Sequence, residues 1–451
     1  MVLVGFKSVF LFVLAAAAVV ELAFLASGSV AFAIDEYTYM DAARAFAAGD
    51  YAAAPEVARF PLFPFLLSPF ASGGAAGLEV AGRLLNLAFA LAGVLLAVLL
   101  ARDLYGESAG WLAGVLLASN PIYLALAGKT LTEPLFTLLF LSFALLAVKS
   151  REKPWMLAAA MGAFALAFQV RYTALVFPLL LLALLWREGR LRKSLPQLAL
   201  GVVVAVVLLL PFALLSSQLT GSPFGLIESF WGSQARVDAS FFSLPDKIPS
   251  NILAVVFVLC ACAPFFVAAL FSNSLRLSRR GVFEPLLFAF GFALALELYA
   301  LFNFALLRYV AVVVPFAAVF AAGWVASNSQ KQLLGRPLSF WVMAACVLNL
   351  LLAVGGLAFV NLFYGKHVDY RAAGLFMAGN CESVFTNVPG VAKHYVSGVA
   401  SHLPSEFASP PDCIADSSFD AWNYRGAFGG DGYREVFVHG GVTVFKRVPD
   451  A

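Results

Sequence analysis

The sequence predicts an α-helical polytopic membrane protein of about eleven spans with a small α/β domain at its C-terminal end. Three observations predict it. Of the 451 residues, 62% are hydrophobic and 12% charged, a balance that a water-soluble globule cannot hide inside one core. Apolar runs of roughly 20 residues, each long enough to cross a bilayer, recur along the chain. From Tyr364 onward these runs stop, and Gly, Pro, Asp and Ser become frequent.

The first run, Phe6 to Ala26, carries Lys7 and Glu21. It is longer than the apolar stretch of a secretory signal and lacks a small-residue cleavage site, so it reads as a retained helix. Further spans are expected over Glu79 to Ala101, Ala109 to Gly128, Glu133 to Val148, Trp155 to Gln169, Tyr172 to Trp186 and Pro196 to Leu215. Four more follow over Asn251 to Phe271, Phe283 to Phe302, Leu306 to Ala326 and Leu338 to Phe363. The fifth and sixth are the shortest for a bilayer.

Loop charges set the expected orientation. With a cytoplasmic N-terminus, and with the tail left out of the count, 14 Lys and Arg fall on the inner side and 8 on the outer, and the densest loops, REGRLRK and LRLSRR, are inner. An odd number of spans then puts residues 364–451 outside a cell or plasma membrane. The formal net charge of +3 gives no reason to expect a nucleic-acid partner. Two domains are expected, a membrane domain over 1–363 with a first outer loop at 27–78, and an extracytoplasmic α/β domain over 364–451.

In the tail, SVFTNV reads as a strand and EVFVHGGVTVFKRV as a hairpin turning at Gly440-Gly441. DYRAAGLFMAG and PGVAKHYVSG read as short helices. Cys381 and Cys413 would pair in an oxidising compartment and stay free in a reducing one; both readings are open. All four histidines lie in the tail, and none has the spacing of a familiar metal motif.

The most informative stretch is AIDEYTYMDAARAFAAGDYAAAPEVARFPLFPFLLSPF, which follows the first span. Asp35 and Glu36 sit where a helix emerges from the bilayer, Gly49 ends that helix, and Pro61, Pro64 and Pro69 interrupt a second apolar segment too short to span. Adjacent carboxylates at a membrane boundary suit an enzyme that deprotonates a hydroxyl while its other substrate stays anchored in lipid. The plainer reading is that Asp35 caps the interfacial helix and Glu36 favours its dipole.

The ordered set DEYTYMDAARAFAAGDY, RFPLFPFLL, AGRLLNLAFALAGVLLAVLLARDLYG and SNPIYLALAGKTLTEPLFTLL resembles the GT-C glycosyltransferases. More narrowly, it is similar to the dolichyl-phosphate-mannose protein mannosyltransferases and the lipid A aminoarabinose transferases. The likeness runs from the first span to about Leu180 and resumes at LRYVAVVVPFAAVFAAG; the tail matches no catalytic motif.

The resemblance implies a GT-C-like fold and names roles. Asp35 would be the base on the acceptor hydroxyl, supported by Glu36. Arg59 in RFP would hold the donor phosphate in bidentate fashion, and Arg308 in LRY, with Tyr309 beside it, would neutralise the departing phosphate. Glu133 in LTEP resembles a second acid facing the same cavity. No cofactor is assigned, and a divalent metal (Mg, Mn or Zn) stays open, as members of the family differ on it.

Each residue also has a plainer role. Arg59 and Arg308 would serve as headgroup anchors, as would Lys129 and Arg171, and Glu133 would cap its helix after Thr130 and Thr132. Glu297 lies within an apolar span, where an ionisable group faces a cavity or a partner such as Arg308 or Arg171; Glu21 has a similar setting. Phe224, Trp231, Gln234, Arg236 and Asp238 read as interfacial residues without an assigned role.

The expected function is therefore transfer of a sugar, mannose or another hexose or pentose, from a polyprenyl-phosphate donor to an acceptor protein, lipid or glycan outside the cytoplasm. The alternative is a transporter or flippase using Glu21 and Glu297. Repeated halves with broken helices, the mark of many transporters, are not evident in the sequence.

Overall fold

The structure, a computed structural model, describes residues 2–27, 34–50, 60–228, 312, 314–328 and, with interruptions, 332–448. The chain divides into two compact units: Met1–Leu22, Ala58–Phe63 and Arg83–Gly355 form one, and Ala23–Val57, Pro64–Gly82 and Gly356–Ala451 the other. The first outer loop thus clusters with the C-terminal segment.

In chain order the helices are α1 (Val2–Ser27), α2 (Ile34–Ala48), α3 (Leu62–Leu67), α4 (Gly74–Tyr105), α5 (Glu107–Ala118), α6 (Pro121–Ala127) and α7 (Glu133–Lys149). They continue with α8 (Met156–Phe168), α9 (Val176–Arg187), α10 (Leu195–Thr220), α11 (Val314–Ser327), α12 (Leu338–Phe363) and α13 (Lys366–Asn380). Among the described residues, Leu62–Tyr105 and Arg192–Thr220 are long and apolar enough to cross a membrane. The spans expected over Asn251 to Phe271 and Phe283 to Phe302, and the start of the next, lie outside the described residues.

The span expected over Ala109 to Gly128 is not one helix. It is α5 and α6, bent by 66°. Pro121 has no N–H to continue the ladder, and the Asn120 side chain caps α6 by accepting from the backbone N–H groups of Ile122 at 3.1 Å and Tyr123 at 3.0 Å. Tyr123 in turn donates its hydroxyl to the Ala90 carbonyl at 2.8 Å, which satisfies a buried polar group.

In this first unit α8 packs between α7 and α10. Small residues allow the approach: a Cβ at Gly201 on α10 would lie 2.8 Å from Met161 Cγ on α8. Phe140 sits 4.3 Å, centroid to centroid, from both Phe177 and Phe316, joining α7, α9 and α11. At the REGR loop, Glu188 takes both Arg151 and Arg190, the latter at 2.9 Å, and Lys149 pairs with Asp103 at 2.8 Å.

The second unit is built on a five-stranded mixed sheet of order β4-β3-β5-β7-β6, whose strands are β3 (Val384–Thr386), β4 (Ala400–Ser401), β5 (Cys413–Ser417), β6 (Tyr433–His439) and β7 (Val442–Arg447). A two-stranded ribbon, β1 (Gln332–Leu333) with β2 (Arg336–Pro337), precedes it in sequence. β3 runs parallel to β4 and β5, while β5, β7 and β6 are antiparallel. The expected hairpin is β6 and β7, with His439 opposite Val442. The alternate residues Val442 and Val444 are fully buried, the period that half-buried strands require. Cys381 and Cys413 are joined in a disulfide between the end of α13 and β5.

Candidate active site

Helix α2 carries the predicted acids. It begins at Ile34, so Asp35 and Glu36 lie within its first turn, where the helix dipole favours carboxylates, rather than at a cap ahead of it. Glu36 is fully buried. Gly49, at φ +72°, ends the helix as expected: its N–H donates to the Phe46 carbonyl at 3.2 Å and the Asp50 N–H to Ala45 at 3.0 Å, the paired bonds of a glycine C-terminal cap.

One face of α2 explains its position. Tyr37, Met40 and Ala43, spaced at helical period, join a core with Leu67, Leu78, Ala373, Met377 and Val384. Beside this apolar stripe run two polar networks that link the first outer loop to the tail.

In the first, both oxygens of Glu79 are engaged. Arg371 donates its Nε to Oε2 at 2.6 Å, and the Tyr395 hydroxyl donates to Oε1. Glu79 is 2% exposed, so this charge is held by a cation and a donor rather than by water. Burial opposes the Arg371 charge, yet the Glu79 carboxylate keeps that guanidinium's pKa raised. For Tyr395, burial is the main cause of a raised pKa, with Tyr37 and the Glu79 charge adding to it, so the hydroxyl stays a donor. The Tyr37 hydroxyl lies 3.5 Å from that of Tyr395, and the two rings meet edge-on at 5.9 Å.

In the second, His394 Nδ1 lies 2.8 Å from Asp41 Oδ1, and Arg44 Nη2 lies 3.5 Å from His394 Nε2. A carboxylate only accepts and a guanidinium only donates, so the ring proton is on Nδ1 and Nε2 is the acceptor. Arg44 also donates to the His394 backbone carbonyl and pairs with Asp41 at 3.3 Å.

In the other unit, Glu133 opens α7 and accepts from Arg171 Nη1 at 3.2 Å. Their side chains are 4% and 13% exposed. The anchor reading of Arg171 is thereby corrected: this guanidinium turns inward to a buried carboxylate and lies over the Phe136 ring at 5.8 Å, instead of snorkelling to headgroups. Glu133 is not a simple cap, since its side chain reaches Arg171. Phe60, next in sequence to Arg59, stacks on Phe212 at 5.9 Å and packs against Phe168 and Tyr172, and the Leu62 N–H donates to Gln169 at 3.1 Å. Phe60 and Pro61 are therefore anchored beside the segment that bears Arg171.

Arg59, Glu297, Arg308 and Tyr309 lie outside the described residues, as do Trp231, Gln234, Arg236 and Asp238; the side chains of Glu21 and Asp35 do as well. Phe224 is 63% exposed. Among the described residues, the one trio with metal-ligand proximity is Cys381, Asp412 and Cys413. Both sulfurs are in the disulfide, which leaves one carboxylate and no thiolate, too few donors for Zn, Mn or Mg.

Sequence reasoning did not find Glu79, Asp41, Arg371, His394 and Tyr395. The local signals were faint: an acid at the mouth of a span and a His-Tyr pair in the tail. Their meaning depends on partners as far as 358 positions away.

Residues 59–214 match the family of dolichyl-phosphate-mannose-protein mannosyltransferases. No curated protein sequence matches the chain. Among solved structures, the chain is similar to ArnT from Cupriavidus metallidurans bound to undecaprenyl phosphate, with a TM-score of 0.66, 16% identity and 98% of each chain covered. It is also similar to the Archaeoglobus fulgidus oligosaccharyltransferase in complex with Zn and sulfate, with a TM-score of 0.57, 15% identity, and coverage of 86% of this chain and 62% of that one. The same archaeal enzyme, AglB, with an inhibitory peptide and a dolichol-phosphate gives a TM-score of 0.54, 13% identity, and coverage of 86% and 64%. The chain therefore has the GT-C membrane fold, with a small sheet in its C-terminal part.

Proposed function

We propose that this protein is an inverting glycosyltransferase that moves a sugar, mannose or another hexose or pentose, from a polyprenyl-phosphate carrier to an acceptor hydroxyl outside the cytoplasm. The observation that carries this reading is the agreement of fold over 98% of the chain with a protein solved with undecaprenyl phosphate. The family match over residues 59–214 supports it, because that segment runs from Arg59 through Glu133 and Arg171.

In this reading Asp35 removes the proton of the acceptor hydroxyl. The acceptor oxygen forms its bond to the anomeric carbon as the bond from that carbon to the phosphate oxygen breaks, and the configuration inverts. Polyprenyl phosphate leaves with the electron pair, and Arg59 and Arg308 stabilise its growing charge. Glu36, itself buried, supports the base, while Glu133, Glu297 and Tyr309 serve the donor. The disulfide between Cys381 and Cys413 favours an oxidising compartment for the tail, in agreement with a cytoplasmic N-terminus and an odd number of spans. The acceptor is a protein, lipid or glycan.

Purified protein in lipid nanodiscs, given dolichyl-phosphate mannose or undecaprenyl-phosphate aminoarabinose with a membrane acceptor extract, should release polyprenyl phosphate. Asp35→Asn should stop that release while still binding undecaprenyl phosphate. Undiminished turnover by Asp35→Asn would remove the proposed base, and movement of labelled donor across the bilayer by that variant would point to a flippase.

A further inference from the structure

The C-terminal segment has no catalytic motif, yet it makes directed polar contacts with α2. His394 and Tyr395, adjacent in sequence, face two directions. His394 binds Asp41 at 2.8 Å, one turn beyond Tyr37 on α2, and its carbonyl takes Arg44. Tyr395 packs edge-on against Tyr37 and donates to Glu79, whose other oxygen belongs to Arg371. His394, Tyr395 and Glu79 are 2%, 8% and 2% exposed, so the bond between Tyr395 and Glu79 is sheltered from water, while the Asp41 and Arg44 side chains that meet His394 are each 30% exposed. Sheltered hydrogen bonds to charged groups fix direction as well as distance.

Isolated helices of this length do not hold an orientation in water by themselves. The orientation of α2 is therefore set jointly by its apolar face, Tyr37, Met40 and Ala43, and by the polar groups that grip Asp41, Arg44 and Tyr37. We propose that the tail is a positioning element: His394, Tyr395 and Arg371 hold α2 so that Asp35 and Glu36 address the acceptor. This role rests on the glycosyl-transfer reading. None of the three residues touches the reacting atoms; each acts through α2 or through Glu79.

The test uses the full-length protein in nanodiscs and the variants Tyr395→Phe, His394→Gln, Arg371→Met and Arg371→Lys. Backbone amide exchange is read over residues 34–48, and turnover of the donor that the wild type accepts is counted per undecaprenyl-phosphate binding site, so that unfolded molecules do not enter the rate. Tyr395→Phe keeps the ring and loses its hydroxyl, so it should fold. The expected result is faster exchange in α2, with kcat down about 10- to 100-fold and donor KM within about twofold, because misplacement of a catalytic group costs rate rather than ground-state binding. Arg371→Lys, which keeps the charge, should recover part of the loss seen in Arg371→Met.

Unchanged α2 exchange in Tyr395→Phe and His394→Gln would overturn the proposal, and so would faster exchange with wild-type kcat. A kcat loss that disappears when counted per binding site also overturns it. Full activity of Asp35→Asn marks a different failure, that of the enzymatic reading; the exchange data identify it, because α2 then still loosens in the tail variants.

Discussion

Glu133 and Arg171 form a 3.2 Å ion pair that neither residue's neighbours in sequence foretell. The carboxylate is the first residue of α7, and the guanidinium precedes the turn that starts at Tyr172. With 4% and 13% of their side chains exposed, the two charges depend on each other more than on water.

Removing one partner deprives a buried charge of this pairing. Glu133→Gln and Arg171→Met should each destabilise the detergent-solubilised protein by about 3 kcal/mol, and the apolar double variant Glu133→Met with Arg171→Met should recover most of it. Turnover then separates two roles for Glu133. If it lines the donor cavity, the double variant stays slow by about 100-fold despite regained stability. Recovery of turnover along with stability would leave Glu133 a structural residue.

The Cys381 to Cys413 disulfide closes a loop with a sequence separation of 32. Cross-linking a loop of that size removes unfolded-state freedom worth about 3.5 kcal/mol in the chain-entropy description. Cys381→Ser with Cys413→Ser should therefore loosen the sheet first. Limited proteolysis should cut near β3 and β5 before the helices are touched. Equal resistance of the reduced and oxidised proteins would contradict this.

Much of the fold was legible because its signals are local. The apolar runs at α4, α7, α8, α10 and α12, and the hairpin of β6 and β7, are periodicities of burial that a short window contains. The break between α5 and α6 was less visible, although Ser119-Asn120-Pro121 carries both a cap and a proline. Glu36 and Glu133 were singled out by type and position, as acids at the end of an apolar run, and both side chains are buried. The inward turn of Arg171 was not legible, because snorkelling and pairing place the same residue at the same helix end. Nor could any window show that Glu79 meets Arg371, 292 positions later. Such pairs belong to tertiary structure, and composition holds no record of them.

Gly374 on α13 lies under the Tyr395 ring. A Cβ at this position would run into that ring, coming within 2.6 Å of Cε2, and the ring cannot retreat without leaving Glu79. Gly374→Ala should cost about 1–3 kcal/mol through overpacking. Its signature should match that of Tyr395→Phe, faster amide exchange in α2, although neither Glu79 nor Tyr395 is altered. The smaller change Gly379→Ala serves as a control, since a Cβ there meets nothing within 4 Å.

The raised pKa of Tyr395 makes a prediction about alkaline pH. Burial is its main cause, followed by the neighbouring Tyr37 and the Glu79 charge, and all of them disfavour the phenolate in the folded state. Up to the ordinary tyrosine value of 10.0, the folded and unfolded chains hold this proton equally, and its contribution to stability is fully present. Above that value the unfolded chain releases the proton and the folded chain retains it, so each further pH unit weakens folding by about 1.4 kcal/mol until the raised folded value is reached. Thermal unfolding of the nanodisc-embedded protein at pH 9, 10 and 11 (about one unit apart, to resolve that slope) should show a steeper loss for the wild type than for Tyr395→Phe. The variant begins less stable, having lost its hydrogen bond to Glu79, so the two curves should converge as pH rises. Parallel curves would mean that the hydroxyl ionises as readily in the folded protein as in the unfolded chain, and the sheltered bond between Tyr395 and Glu79 would then lack the energetic weight assigned to it.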